Sequence, residues 1–215
     1  MELSTRRLIG ADGVFSKVRK QLYPDLEMKT MTILQEHWQA EGNFCEYFYA
    51  FFKGKVTPSY GYVIPKDGLF VVGTGTPKNY FTPVSTCIRR LKTWLRREFA
   101  FKSLSLTMKE AAAIPYGSPM SGEGNVVLVG DAAGFCNPLS GEGVRLAIES
   151  GIAAAEAIKQ QEHSSGLLSR LYAQQIERLG DFVSSTNEFA TCLTDEGRED
   201  FVRAELARIS PTSSA

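Results

Sequence analysis

The sequence predicts an α/β chain, α+β in detail, in which a parallel-sheet portion is interrupted by an inserted antiparallel sheet and followed by C-terminal helices. Three observations predict it. Val126-Val127-Leu128-Val129 is a short continuous apolar run ending in Gly130-Asp131, as in a strand buried on both faces of a parallel sheet. Asp67-Gly68 separates the apolar runs Tyr60–Pro65 and Leu69–Gly73, as in a β-hairpin. Val144, Ile148, Ile152, Ala155 and Ile158 recur at helical spacing and predict one inward face.

In chain order, Leu8-Ile9 closes a short apolar stretch, Gly10-Ala11-Asp12-Gly13 turns the chain, and Val14, Val18 and Leu22 mark a helix. A strand so near Met1 has no lead-in, so the chain reads as starting partway through a larger fold. Residues 31–76 have strand character and predict three or four antiparallel strands. The aromatic-rich run Phe44–Phe52 is one of them. Thr82 as cap and Pro83 at the first helical position begin a helix that buries Ile88, Leu91, Trp94 and Leu95. Arg89, Arg90, Lys92, Arg96 and Arg97 on its other sides read first as a solvated face and second as an anion-binding one. The helix from Val144 is broken at Ser164-Ser165-Gly166. Another follows from about Leu167, with Leu168, Leu171, Tyr172, Leu179, Phe182 and Val183 inward. The expected divisions are 1–28 with 105–162, then 29–104, then helices over 163–209 and a disordered tail over 210–215.

Composition narrows the function. Lys plus Arg and Asp plus Glu both number 24, which argues against a nucleic-acid binder needing a basic excess. No apolar run reaches the roughly 20 residues of a membrane span, and Met1–Arg7 lacks a signal-peptide core. The four cysteines are widely spaced with no Cys-x-x-Cys pair, so no metal site is expected and a cytoplasmic location with reduced thiols is the simpler reading. His37 reads as a structural strand residue, His163 as surface and Cys136 as a buried thiol. The repeated Ser-Gly-Glu-Gly at 121–124 and 140–143 precedes a strand once and a helix once, and reads as coincidence.

The chemistry concentrates between Val126 and Ser150. A strand there delivers Asp131 at its C-terminal end, where ligands of open α/β sheets bind. Ala132, Ala133 and Gly134 allow close approach to the backbone. Gly141-Glu142-Gly143 opens a helix whose free amides favour negative charge. The pattern suits a hydroxylated chain joined to a pyrophosphate or an electron-rich ring.

Gly130-Asp-Ala-Ala-Gly-Phe-Cys-Asn-Pro-Leu-Ser-Gly-Glu-Gly143 resembles the second FAD-binding signature of the p-hydroxybenzoate-hydroxylase-like flavoproteins. It most resembles the geranylgeranyl reductase version, Gly-Asp-Ala-Ala-Gly-Phe-x-Asn-Pro-x-x-Gly-Glu-Gly. Ile9-Gly10-Ala11-Asp12-Gly13-x-x-Ser16-x-x-Arg19 resembles the family's Asp-Gly fingerprint. Pro58-x-Tyr60-x-Tyr62-x-Ile64-Pro65 resembles its substrate-side Tyr-x-Trp-x-Phe-Pro strand, with Tyr62 for Trp and Ile64 for Phe. The resemblance implies a Rossmann-like FAD-binding domain, present in part, and hydride transfer from reduced flavin to a double bond of a prenyl chain. It places Asp12, Gly13, Arg19, Gly130, Asp131, Ala132, Gly134, Pro138, Gly141, Glu142 and Gly143 at the cofactor. Asp131 falls on the ribityl part, and for Asp12 a helix-capping role competes with contact. Tyr60, Tyr62, Ile64 and Pro65 fall at the substrate, where aromatics wall an apolar tunnel or simply pack a core. The resemblance leaves the electron donor as NAD(P)H or ferredoxin and allows peripheral membrane contact.

One departure stands out. The Gly-x-Gly-x-x-Gly that such proteins place on their first strand–helix unit has no match, and Gly141–Leu146 fails at the third glycine. A further FAD-binding segment, or a partner chain carrying it, is therefore expected. A flavin monooxygenase on a lipid or aromatic compound is the enzymatic alternative. A cofactor-free, non-catalytic fragment is the other.

Overall fold

Apolar runs and glycine turns in this sequence resolve, in a computed structural model, into eight strands and six helices among the described residues 4–163, 166–192 and 194–209. In chain order these are β1 (Leu8–Gly10), α1 (Lys17–Leu22), β2 (Thr30–Glu41), β3 (Tyr49–Phe51), β4 (Gly61–Lys66), β5 (Leu69–Pro77), α2 (Val84–Glu98), β6 (Lys102–Pro115), β7 (Gly122–Glu123), β8 (Val126–Leu128), α3 (Gly130–Ala133), α4 (Val144–Glu162), α5 (Leu168–Cys192) and α6 (Asp195–Ile209). They form two units, residues 1–30 with 113–191 and residues 31–112 with 192–215. The divisions differ from those read in the sequence. β6 stays with the inserted sheet through Ala112, and the C-terminal helices separate, α5 to the first unit and α6 to the second. The tail 210–215 lies outside the described residues, as does part of the 164–166 break.

The first unit is built on the expected parallel pair. β8 pairs with β1 in parallel, Ile9 opposite Val127, and β7 adds antiparallel to β8, giving the order β1-β8-β7. Val127, Leu128 and Val129 are buried with Phe135, Leu146, Ala154 and Ala157 and with Leu168, Tyr172, Ile176 and Val183 of α5. Each fully buried Leu or Val contributes about 1.5–3 kcal/mol. The Tyr172 hydroxyl donates to the Leu128 carbonyl (2.8 Å), so α5 is tied to the strand end by a polar bond as well as by packing. Phe182, expected inward, is 40% exposed, with the Arg145 guanidinium over its ring.

The helix from Val144 forms where its periodicity predicts but turns a different face inward. Leu146, Ser150, Ala154 and Ala157 are buried, whereas Val144, Ile148 and Ile152 are exposed. Two anchors set this rotation. The Gly130 amide donates to Ser150 Oγ (3.0 Å), and Leu146 joins the strand core.

The second unit is a five-stranded sheet, order β3-β4-β5-β2-β6, one strand more than the sequence suggested because β6 joins its edge. The Asp67-Gly68 hairpin is as predicted. Both residues have positive φ (53° and 75°), which matches the twist of the strands it joins. Only Tyr49–Phe51 of the aromatic run is strand. Phe44 instead stacks on Phe99 (5.0 Å) and meets Phe101 edge-on, so the run's first part serves the core. α2 begins at Val84, one residue later than read. Pro83 is the cap, its carbonyl accepting from the Thr86 and Cys87 amides, and Thr82 is buried instead. Ile88, Leu91 and Leu95 are buried as expected and share a core with Val63 and Val72, with Trp94 partly buried against it. Among the described residues, no helix is long and apolar enough to cross a membrane.

Candidate functional site

The Asp131 loop is assembled from three stretches of the first unit. β8 ends at Leu128, Val129 continues extended, and Gly130 turns at φ 54°, a conformation that a side chain would strain. A Cβ there would also come within 3.2 Å of Ala147, so glycine lets α4 close on the strand end. Ala132 and Ala133 are fully buried, and Gly134 ends the single turn of α3 in the left-handed region.

The Asp131 carboxylate is half-buried and makes no hydrogen bond among the described residues. Burial pushes its pKa above the ordinary aspartate value. Loss of water without a compensating donor is costly for a carboxylate, so this group is poised to accept from something else. Across from it, a Cβ on Gly143 would stand 3.4 Å from Asp131 Oδ1.

Residues 137–143 are closed on themselves. The Asn137 amide donates to the Glu142 carbonyl and the Gly141 amide to the Asn137 carbonyl, both at 2.8 Å. Asn137 Oδ1 accepts from Leu139 (2.9 Å) and Ser140 (3.3 Å), so Pro138 sits in a fixed turn. Asn137 was not singled out in the sequence, although Asn before Pro is a turn signal that could have flagged it. Glu142 faces along the helix, its carboxylate taking the Arg145 amide (3.1 Å) and pairing with the Arg145 guanidinium (3.4 Å). The amides of Gly143 and Val144, at the start of α4, find no acceptor among the described residues. They are the expected orphan donors of a helix start, at its positive end. Cys136 is a buried thiol, pushed up to about 12 by burial and by the charges of Asp131 and Glu142, and is inert at neutral pH.

Arg19 of α1 supports this loop, with Asp12 and Gly13 in the turn ahead of that helix. Asp12 accepts from the Lys17 (2.7 Å) and Val18 (3.3 Å) amides, which is the capping role. Burial raises its pKa, but hydrogen bonds from Ser16 and those amides outweigh it and leave the carboxyl below its ordinary value. Gly13 turns at φ 76° ahead of Ser16, whose Oγ caps the Arg19 amide. Arg19 is buried, and its guanidinium donates to the carbonyls of Ala132 (2.8 Å), Asp131 (3.5 Å) and Val14. It therefore fixes the backbone that carries Asp131.

The strand residues behave differently. Tyr62 and Ile64 of β4 share one face of the sheet with the preceding Tyr60, while Pro65 shares the other with Gly61 and the buried Val63. The end of the Tyr62 ring packs over Gly73, where a Cβ would approach within 2.1 Å, and its hydroxyl donates to Gln35 Oε1 on β2 (3.0 Å). Gln35 donates in turn to Glu110 on β6, whose carboxylate also meets His37 Nε2 (3.4 Å). These bonds hold the Glu110 carboxyl below its ordinary value, Gln35 contributing most, and burial, chiefly, raises the Tyr62 hydroxyl. Gln35, Glu110 and Gly73 were not read from sequence, because only the strand pairing brings them to Tyr62.

Residues 1–179 match the family described as FAD binding domain. The chain belongs to that family. This FAD-binding-domain chain is 30% identical over 213 residues to protein CbrA of Escherichia coli O9:H4 (strain HS), a match covering 96% of the chain and 56% of CbrA. CbrA of strain K12 is 31% identical over 164 residues, 74% of the chain and 45% of the relative. The chain thus spans about half the length of the curated relatives it matches. Among solved structures it superposes on a geranylgeranyl bacteriochlorophyll reductase-like protein from Thermoplasma acidophilum (TM-score 0.71, 20% identity, 93% of this chain and 54% of that one). It also superposes on PqsL, a probable FAD-dependent monooxygenase from Pseudomonas aeruginosa (0.63, 21%, 93% and 59%). At these identities the likeness is one of fold.

Proposed function

We propose that the chain forms the ribityl and pyrophosphate–ring side of the FAD site in a flavin-dependent oxidoreductase that saturates double bonds of a prenyl chain. The observation that carries the flavin reading is the half-buried Asp131 carboxylate, without a donor of its own among the described residues, beside the open amides that begin α4. Bound FAD would supply hydride transfer to the prenyl double bond. Asp131 accepts from ribityl hydroxyls, and Gly130, Ala132 and Gly134 leave the turn bare of bulky side chains. Pro138, Gly141, Glu142 and Gly143 shape the loop that lies against pyrophosphate and ring. The α4 N-terminus favours negative charge there by about 0.3–2 kcal/mol. Arg19, Asp12 and Gly13 hold the turn in place.

The prenyl reading rests on the sheet face that carries Tyr60, Tyr62 and Ile64, and on the exposed Leu104, Leu106 and Met108 at alternate positions leading to Glu110. Pro65, on the other face, shapes the strand end. NAD(P)H or ferredoxin would supply the electrons.

The row Tyr62–Gln35–Glu110–His37 favours a second reading, a monooxygenase whose lipid or aromatic substrate carries polar groups. A complex of PqsL with 2-aminobenzoylacetate is a precedent of that kind in a protein of similar fold.

The first test is the visible spectrum of the purified chain after incubation with FAD and desalting. Retained flavin bands are expected, and a colourless protein would favour a fragment that does not hold the cofactor by itself. Reoxidation of the reduced, loaded protein by prenyl lipids without oxygen supports the reductase. Oxygen uptake coupled to NADPH oxidation would replace it with the monooxygenase.

A further inference from the structure

α2 has two sides of different character. Ile88, Leu91 and Leu95 are buried, while Arg89, Arg90, Thr93, Trp94 and Arg97 follow the i, i+1, i+4, i+5, i+8 spacing of another side. By sequence these arginines read as a solvated face or as an anion-binding one. In the structure they line a cavity of about 730 Å³ in the second unit, a size typical of small-molecule sites.

The cavity's other walls are the turn after β3 and the start of α6. The turn is closed by the Val56 (2.8 Å) and Thr57 (3.0 Å) amides donating to the Lys53 carbonyl, with Lys53 and Lys55 left exposed. Polar bonds tie α6 to this stretch. The Gly54 amide donates to Asp195 Oδ2 (2.5 Å), and the Arg198 guanidinium to the Pro58 (3.3 Å) and Ser59 (3.1 Å) carbonyls. A Cβ on Gly54 would stand 2.9 Å from the Asp195 carboxylate, so glycine lets α6 come this close.

Charge around the cavity is uneven. Among the described residues, Lys53, Lys55, Arg89, Arg90 and Arg97 bring five cations. Against them stand Asp195, Glu196 and Glu199, of which Asp195 is engaged by the Gly54 amide and Glu199 by Lys53 at 3.9 Å. Arg97 meets its neighbour Glu98 at 3.9 Å with both side chains exposed, a contact worth little. Arg89 bonds to Thr86 Oγ1 of its own helix (3.2 Å), and Arg90 and Lys55 pair with no carboxylate among the described residues. The whole chain is balanced at 24 basic and 24 acidic residues, so this excess is local. Like charges gathered in a concave site repel one another and focus a positive potential, and a bound anion relieves both. Three of the five are arginine, whose planar guanidinium matches phosphate oxygens two at a time. Phe52, Val56 and Trp94 add an apolar wall that a bare phosphate would not use.

We infer that this cavity binds a phosphorylated organic small molecule, its phosphate on Arg89, Arg90, Arg97 and Lys55 and its apolar part on Phe52, Val56 and Trp94. The site is not the sheet face of Tyr62, because α2 packs on the opposite face with Val63 and Val72. It is independent of the flavin reading, whose residues belong to the first unit.

Phenyl phosphate carries both features and is the probe. Titrated into the full chain, it should change tryptophan emission saturably through Trp94, and calorimetry should return the same Kd. Phenol and inorganic phosphate each lack one feature and should bind at least tenfold more weakly. Arg89→Gln combined with Arg90→Gln should weaken phenyl phosphate binding at least tenfold without loss of Tm, because both side chains are exposed. Glu196→Gln removes a facing carboxylate and should tighten binding about threefold. Arg96→Gln, at an exposed arginine of the same helix outside the cavity, should leave it unchanged. Absence of saturable binding overturns the inference. If sedimentation with phosphatidylglycerol vesicles then requires Arg89 and Arg90, the cations serve a lipid surface instead. An equal loss with Arg96→Gln also overturns it, because general surface charge would then hold the anion. Inorganic phosphate binding as tightly as phenyl phosphate overturns it too, since the apolar wall would take no part.

Discussion

Glu36 in the second unit and Asp131 in the first are both carboxylates drawn out of water, and the fold treats them in opposite ways. Glu36 is surrounded. Lys92 lies at 2.6 Å and Lys109 at 3.7 Å, Trp38 donates its indole N–H (3.1 Å), and Lys92 also sits over the Trp38 ring. Among the described residues Asp131 has no such company, and the amides facing its loop are open too. The second unit spends its buried charge on fastening α2 to the sheet, while the first keeps acceptor and donors unspent. That contrast supports the flavin site proposed in the first unit and reads the charge inside the second as architecture.

The comparison can be broken hardest at Lys92. Lys92→Met takes from Glu36 the nearer of its two lysines and leaves Lys109 and the Trp38 indole, and removing one partner of a buried pair costs up to about 3–5 kcal/mol. Both tryptophans, Trp38 and Trp94, belong to the second unit, so denaturant unfolding followed by their fluorescence should show the loss there. Flavin retention should stay. An unchanged midpoint would mean that Glu36 is not held as an architectural charge.

A smaller effect is expected at Arg19. Arg19→Met removes charged hydrogen bonds to three carbonyls and should cost about 1.5–3 kcal/mol. Unlike Lys92→Met, it should also weaken flavin retention, because it releases the turn under Asp131. Arg19→Lys should recover only part of either, since one ammonium cannot reproduce the planar fork. Stability lost with flavin retention intact would detach the α1 clamp from the site.

The smallest effect on stability, and the sharpest on binding, is expected at Asp131. Its folded pKa is raised, so the stability linked to it is present at low pH and is lost as pH rises through the folded value. At neutral pH the ionised carboxylate is therefore a burden on the unliganded chain. Asp131→Asn should leave Tm unchanged or raise it slightly at pH 7, with the difference vanishing on acidification, and should abolish flavin retention. A clear drop in Tm would show that Asp131 is a structural acid after all.

What the sequence made legible was whatever depends on neighbours in the chain. The buried run at Val126, the Asp67-Gly68 turn and the helix from Val144 were all readable because period and turn chemistry are local. The face that α4 buries was not, because Ser150 is chosen by the Gly130 amide, a partner 20 residues away. Arg19 was placed near the cofactor by its motif, and the structure adds that it works through backbone carbonyls. Among the aromatics, Phe44, Tyr49 and Phe51 proved to be core, while Tyr60 and Tyr62 remained on the other face. Composition alone could not divide them, since a tunnel wall and a core draw on the same side chains.

Tyr62 resting across Gly73 ties the histories of two positions on neighbouring strands. A lineage that replaces Gly73 with even alanine must swing the ring at position 62 off this strand or give it up, because the methyl and the ring would claim the same volume. Losing the ring also silences the hydroxyl that Gln35 holds. These two positions are therefore coupled through one shared volume. A glycine opposite an aromatic would mark descendants that keep this hydrogen-bonded row, and a larger residue opposite a small one would mark those that have exchanged it for open space.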